Sequence, residues 1–417
     1  MIDVVGVGLG PFNLGLAALL EKTELDAVFF DDKPEFAWHP GLMLPGAEIQ
    51  VPFLADLVTL ADPTSPYSFL NYLHEQGRLY RFYFHERFHV LRQEYEAYCR
   101  WVADRVASCR FSHRVDAIRP LDGGGWAVWA RGVEHQARAV VLGVGCVPFV
   151  PACARGLTHS SAYMAERDRA LTARSVAVIG SGQSAAEIFA DLLEHASGRV
   201  DWFTRSSGFL PMEYSKLGLE HFSPEYTAYF HALPEEKRDA LRAGQSLLYK
   251  GIDAGTSERI YELLYRRSVD GSEPNVRYTA RCELRGVEGR HRLHLHQLEQ
   301  DVSFTHDADV VILATGYEPA PLPLPHGLLE LDVSGRPVVE LDYRLRLADG
   351  SASTLFVQNA ELHTHGVGTP DLGLGAHRSA VIANALAGRE VYAVRDRNVF
   401  QSFGAPPSPP AADARAA

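Results

Sequence analysis

Short apolar runs that end in a glycine-rich turn and pass into a helical period occur twice along this chain. The first is VVGVGLGPFNLGLAALL, from residue 4. It predicts a strand over 2–6, a tight turn, and a helix over 11–21. AVFFDD at 27–32 then predicts a second strand, which makes a βαβ unit. The second run is VAVIGSGQSAAEIF at 176–189, which predicts another βαβ unit over roughly 175–205. Between them, 35–100 reads as loops and helices rich in aromatic residues. ARAVVLGVGCVPFVP at 137–151 reads as a strand running into a Gly/Pro turn, a domain boundary.

Beyond the second unit, 224–266 has a helical period, with Ile260, Leu263 and Leu264 on one face of SERIYELLYRR. Strands return over 276–315, ending in DVVILATGY, and a last helix is predicted near 372–387. The tail from 404 to 417, GAPPSPPAADARAA, has the composition of a disordered segment. The fold class is α/β: two Rossmann-like dinucleotide-binding units with a small helical region.

Composition narrows the function. The chain is 46% apolar and 22% charged, with a formal net charge of −12. No basic run is dense enough for nucleic acid, so that partner is excluded. No apolar stretch approaches the ~18 residues of a membrane span. The first strand starts at Ile2 with no leader before it, which points to the cytoplasm. Cys99, Cys109, Cys146, Cys153 and Cys282 form no CxxC pair and read as buried free thiols. His363 and His365, in ELHTHGVG, lack further ligands at metal-site spacing, so no metal is expected.

The candidate chemistry lies in the two turns. Glycines let backbone approach a pyrophosphate, and the next helix aims its first amides at the phosphates. Gly6, Gly8 and Gly10 form the first turn; Gly180, Ser181 and Gly182 form the second, with Ala185 as its third small residue. Twenty-five positions beyond Gly6 stands Asp31, and the same count from Gly180 reaches Arg205. A carboxylate there accepts ribose hydroxyls and repels a 2′-phosphate, whereas a guanidinium attracts one. The first turn is therefore expected to hold FAD and the second the NADPH that reduces it.

GVGLGPFNLG, FAWHPG, LGVGCVPFVP, GSGQSAAEIF, ILATGY and THGVGTPDLGLGAHRSA occur in this order. With them the chain, over about 1–400, resembles the microbial flavin-dependent N-hydroxylating monooxygenases of hydroxamate siderophore synthesis. The resemblance implies a discontinuous FAD domain (1–170 and 310–403) and an NADPH domain (171–215 and 270–309). It also implies a helical substrate region (216–269) and a homo-oligomer, a tetramer in many relatives. In that family NADPH reduces FAD, O₂ adds at C4a, and the hydroperoxide passes its distal oxygen to a neutral amine. The cofactor carries the chemistry. The protein must exclude water and present an amine that is neutral in only about one molecule in a few thousand at pH 7. Desolvation in an apolar pocket shifts that balance.

By motif, the resemblance places Pro11, Phe12 and Asn13 at FAD, Trp38 and His39 beside the flavin, and Gln50 near C4a as the catalytic side chain. His365 and Leu372 are expected against the isoalloxazine. Gln183 and Ser184 are expected on the NADPH pyrophosphate and ribose, and Ser207 on the 2′-phosphate with Arg205. The ATGY turn reads as a structural crossing between domains.

The chain departs from the ornithine enzymes at two places. Their lysine for the substrate carboxylate is Ala55 here, and an asparagine that holds the amino-acid end is Leu248. An unpartnered buried carboxylate is costly, so the expected substrate is a diamine, putrescine or cadaverine. Asp371, alternatively a helix N-cap, and then Glu220 are the candidate partners of its remote ammonium. Lysine or ornithine is the runner-up substrate, with Lys216 and Lys250 near in sequence as carboxylate partners. A disulfide reductase would need a CxxC pair. A Baeyer–Villiger or sulfur-oxidising enzyme would show a further FxGxxxH stretch. A non-catalytic redox sensor would leave the NADPH site without a purpose.

Overall fold

A computed structural model describes residues 1–289 and 291–405. Of the tail expected to be disordered, 406–417 lies outside the described residues.

The strand Ile2–Val7 lies between two parallel neighbours, Ala27–Phe30 and Val133–Leu142. Cys109–Arg110 extends the sheet on one side, and the antiparallel strands Trp126–Ala130 and Val115–Pro120 extend it on the other. Leu355–Val357 also pairs in parallel with Val133–Leu142, so the carboxyl-terminal third of the chain returns to the amino-terminal sheet. The helix Pro11–Leu20 is apolar on nearly every side, and every residue from Asn13 to Leu20 is buried. A helix with no polar face needs cover all round. The sheet covers one side and the helix Gly375–Ala387 packs along another.

The second sheet is wholly parallel, in the order Thr158–His159, Val310–Leu313, Ser175–Ile179, Arg199–Phe203, Val276–Thr279. Its three central strands, Val310–Leu313, Ser175–Ile179 and Arg199–Phe203, are buried on both faces, as inner parallel strands require, whereas the edge strand Val276–Thr279 is partly exposed. Helix Gln183–His195 covers one face with Ala185, Ile188, Phe189 and Leu192. The other face, carrying Ala177, Ile179, Val311 and Leu313, is closed by Leu293 and Leu295. These belong to an antiparallel meander of Cys282–Glu288, Arg292–Gln297 and Val302–Asp307. The ATGY segment leads into Tyr317–Pro319, which pairs with Cys146–Pro148 as a two-stranded crossing between the sheets.

The helical stretch expected over 224–266 is three helices: Pro224–Ala232, Glu235–Gly244 and Ala254–Arg267. Pro234 breaks the first from the second, because proline lacks the N–H that would continue the ladder. Ser223 and Asp253 cap the first and third, accepting from Tyr226 N at 3.2 Å and Thr256 N at 2.9 Å. Ile260 is buried, with Leu263 and Leu264 packed beside it. The last helix starts at Gly375, after a 3₁₀ turn over Leu372–Leu374. Of the five cysteines expected to be buried, Cys99 and Cys282 are; Cys109 and Cys153 are half-buried, and Cys146, on the crossing strand, is exposed. No helix among the described residues is long and apolar enough to cross a membrane.

Candidate active site

Both glycine turns take the conformation their sequences imply. Gly8 has φ +87°, and a methyl group added there would lie 2.4 Å from Gly143 O. Gly180 has φ +150°, and its added methyl would lie 2.1 Å from Ala314 O. Neither position tolerates a side chain. At Gly10 an added methyl meets nothing within 4 Å, and at Gly182 only Lys250 O at 3.6 Å. Each helix thus begins against open space, where its first-turn amides can receive phosphate oxygens. The residues present fit two dinucleotides.

Asp31 ends the second strand of the first sheet and is 6% exposed. Its carboxylate accepts from Leu9 N at 2.6 Å and Lys33 N at 2.9 Å. The Lys33 ammonium lies 3.5 Å from Oδ2, and a carboxylate has about four acceptor sites, so acceptor capacity is left for a ribose hydroxyl. Pro11 opens the helix, and the partly buried Phe12 ring lies 4.6 Å from the Arg378 guanidinium. The side chain of Asn13 is corrected as an FAD contact. It is 1% exposed; its amide donates to Gly8 O at 2.8 Å, and its Oδ1 accepts from Gln358 at 2.7 Å. It shapes the turn.

At the end of Arg199–Phe203, Arg205 and Ser207 are exposed on either side of Ser206. Ser181 and Ser206 share a hydroxyl hydrogen bond of 2.8 Å, which ties the glycine turn to the Arg205 turn. Ser184 is partly buried in the first turn of helix Gln183–His195. The Gln183 side chain is corrected as a pyrophosphate contact. Its Oε1 accepts from Asp253 N at 2.9 Å, and its Nε2 donates to Glu187 at 3.0 Å and to the Asp253 carboxylate. It bridges two helices.

Between the sheets lies a cleft of about 470 Å³, lined by Gln50, His89, Gln183, Glu187, Tyr214 and Asp253 among others. Gln50 stands on the strand Glu48–Pro52, and its Nε2 has no hydrogen-bond partner among the described residues. A buried amide donor left free in a cleft is unusual, and it can be satisfied by a bound group. Tyr214, which carried no motif, donates its hydroxyl to Gln50 O. Burial, with the Asp371 and Asp253 charges, pushes the Tyr214 pKa up to about 12, so the hydroxyl stays protonated. Arg92, equally silent in the sequence, donates to Glu187 at 2.7 Å across the cleft.

Trp38 is partly buried against Tyr95, with ring centroids 5.0 Å apart, and its backbone N–H donates to Glu96 at 3.2 Å. His39 has a left-handed φ of +48°. It is solvent-accessible in a concave place, where desolvation and then the Arg92 and Lys33 charges lower its pKa to about 4.

Leu372 is partly buried in the turn capped by Asp371, which accepts from Gly373 N at 2.7 Å. The alternative reading of Asp371 as a cap therefore holds. A methyl added at Gly373 would lie 2.7 Å from Asp371 Oδ1 and 3.9 Å from the Ala55 methyl, so the two residues flank one spot. Burial raises the Asp371 pKa to about 6. Leu248 packs with Tyr226, Phe230 and Val367. Two expectations are corrected here. Glu220 accepts from Phe400 N at 3.1 Å and Gln401 N at 2.7 Å, so it clasps the carboxyl-terminal segment. His365 is 2% exposed, stacked 4.5 Å from Tyr343, with Nδ1 on Thr364 and Nε2 on Leu341 O; it is a packing residue. Lys216 and Lys250 are both exposed.

The chain matches the L-lysine 6-monooxygenase/L-ornithine 5-monooxygenase family over residues 1–319. It is 45% identical to the rhizobactin siderophore biosynthesis protein RhbE of Rhizobium meliloti, over 97% of this chain and 96% of that protein. It is 39% identical to a putrescine N-hydroxylase of Acinetobacter baumannii, over 96% and 93%. Among solved structures, the FAD-bound cadaverine monooxygenase DfoA of Erwinia amylovora superposes with a TM-score of 0.92 at 41% identity, covering 98% of this chain and 99% of that one. The Kutzneria ornithine N-hydroxylase KtzI, with reduced FAD, NADP⁺ and L-ornithine, gives a TM-score of 0.86 at 30% identity, covering 93% and 99%.

Proposed function

The chain belongs to the L-lysine 6-monooxygenase/L-ornithine 5-monooxygenase family, and from that premise we propose that it N-hydroxylates one terminal amine of an aliphatic diamine, putrescine or cadaverine. It is an NADPH-dependent flavin N-monooxygenase that uses FAD and NADPH. When bound, reduced FAD would supply the two electrons that activate O₂, of which one atom ends on nitrogen and the other in water. The hydroxylated diamine is a building block for a hydroxamate siderophore.

One observation carries the choice of substrate: Asp371 stands beside a methyl group where an amino-acid hydroxylase needs a cation. Among the described residues no lysine or arginine forms an ion pair with Asp371; Arg378, which pulls its pKa down, is itself paired with Glu361. An α-carboxylate placed there would meet like charge and no partner. A remote ammonium would meet an ionised carboxyl whose cap hydrogen bond leaves acceptor capacity. The reacting amine, held away from Asp371 among apolar side chains such as those around Leu248, loses its proton more readily. In this reading Tyr214 fixes the Gln50 backbone, and the Gln50 amide is the donor facing the reacting centre. We place the enzyme in the cytoplasm as a homo-oligomer, which light scattering on the purified protein checks.

The test is a hydroxylamine-specific product assay with NADPH, FAD and O₂, run on putrescine, cadaverine, lysine and ornithine. Product from diamines with little from amino acids is the expected result. Product from lysine or ornithine would keep the enzyme class and overturn the role given to Ala55 and Asp371. Asp371→Asn, which keeps a capping side chain, should raise KM for diamines while leaving the flavin bound.

A further inference from the structure

We infer that Arg281 is a second guanidinium for the 2′-phosphate of NADPH, acting with Arg205; this rests on the reading that the Gly180 turn holds that nucleotide. Arg281 is 76 positions from Arg205 in sequence, yet its backbone runs alongside the Arg205 turn. Arg281 N donates to Ser206 O at 3.0 Å, and Cys282 N donates to Thr204 O at 2.7 Å. The turn is therefore held from both ends by the segment that carries Arg281.

Arg281 has φ +56°, in the left-handed region. Side chains other than glycine, asparagine and aspartate rarely adopt it, and such residues cluster at functional sites. The Arg281 Nε is buried and has no hydrogen-bond acceptor among the described residues. Its only carboxylate neighbour among the described residues is Glu299, whose Oε1 lies 3.3 Å from that Nε without hydrogen-bond geometry and whose side chain is 67% exposed. Arg205, on the other side of Ser206, forms no ion pair among the described residues and is exposed. The Arg281 guanidinium, paired only with an exposed glutamate, the unpaired Arg205 guanidinium, and the hydroxyls of Ser206 and Ser207 belong to one turn and the segment bonded to it. Ser206 is in turn bonded to Ser181 of the glycine turn. The chemistry these groups share is recognition of a dianionic phosphate monoester on a ribose.

The test is calorimetric binding of 2′,5′-ADP and 5′-AMP to the FAD-loaded enzyme, comparing wild type with Arg205→Ala, Arg281→Ala and Arg281→Lys. Arg281→Gly is included because glycine suits the left-handed backbone and separates loss of the side chain from strain. Arg281→Ala and Arg281→Gly should each weaken 2′,5′-ADP about tenfold, the size of one charge-assisted contact. Both should leave 5′-AMP unchanged, and Arg281→Lys should recover part of the loss. If Arg205→Ala lowers the preference for 2′,5′-ADP and neither Arg281 variant does, the inference is overturned while the NADPH reading stands. If no variant changes the preference, both are overturned.

Discussion

Arg378 and Glu361 form an ion pair at 3.1 Å with 2% and 0% of their side chains exposed. Arg378 also donates to Thr369 O at 2.6 Å and lies between the Phe12 and Tyr343 rings. Burial still raises the Glu361 pKa against the pull of Arg378, so desolvation outweighs the pairing. Removing one partner strands the other. Arg378→Met should lower unfolding stability by about 3–5 kcal/mol in a urea titration, and adding Glu361→Gln should restore part of it. Asp371 gives a second residue-scale expectation. Its folded pKa of about 6 lies above the ordinary 3.8, so the folded state takes up the proton first. The stabilising contribution is present below the unfolded pKa and lost as pH rises through about 6. A bound ammonium favours the ionised form, so diamine affinity should fall as pH drops below that value. The substrate's own proton affects every variant alike. Log KM against pH below about 6 should therefore be steeper by one for wild type than for Asp371→Asn. Equal slopes would remove Asp371 from the substrate site.

At the scale of elements, the glycine turns separate the two nucleotides. The Ala314 carbonyl that a methyl at Gly180 would strike cannot retreat freely, because Ala314 N donates to Ile179 O at 2.7 Å across the sheet. Gly180→Ala should weaken NADP⁺ binding at least about tenfold, from the strain alone of about 1–3 kcal/mol. Bound flavin should remain, because the Gly8 turn belongs to the other sheet. Gly8→Ala should do the reverse, read by flavin content and NADP⁺ titration of the same preparations. These turns were legible because strand, turn and helix follow one another within twenty residues, and the residue twenty-five positions on is set by the same local unit. The meander over 282–307 and the strand Leu355–Val357 were not separately legible. Their pairing partners are chosen by sheet edges far away in sequence, and short apolar runs do not say which edge they join. The same limit explains Gln183 and Glu220. The sequence placed each near the expected region, but the Asp253 cap and the 400–401 backbone, 70 and 180 residues away, decide where the side chains go.

At the scale of the whole molecule, the two sheets must hold their nucleotides at one cleft, and specific polar contacts span it. Arg92, just after the strand that pairs with Glu48–Pro52, reaches Glu187 on the helix that starts at the second glycine turn. Gln183, one turn earlier on that helix, is bonded to Asp253 at the start of Ala254–Arg267. The angle of this helix therefore depends on a carboxylate and an amide with partners in two other parts of the chain. The Arg92–Glu187 pair is 13% and 8% exposed, dry enough that losing its charge matters. Glu187→Gln keeps a hydrogen-bond acceptor for Arg92 and removes the anion, at an expected cost of about 1–3 kcal/mol in unfolding stability. A functional effect should exceed that structural one. If the pair holds the nicotinamide end of NADPH against the flavin and keeps water out, the variant should bind FAD normally. It should then consume NADPH with a lower yield of hydroxylamine and a higher yield of peroxide. Hydroxylamine formed per NADPH, measured beside peroxide at saturating diamine, decides the point. An unchanged ratio with lowered stability would leave Arg92–Glu187 as a brace between the sheets with no part in coupling reduction to hydroxylation.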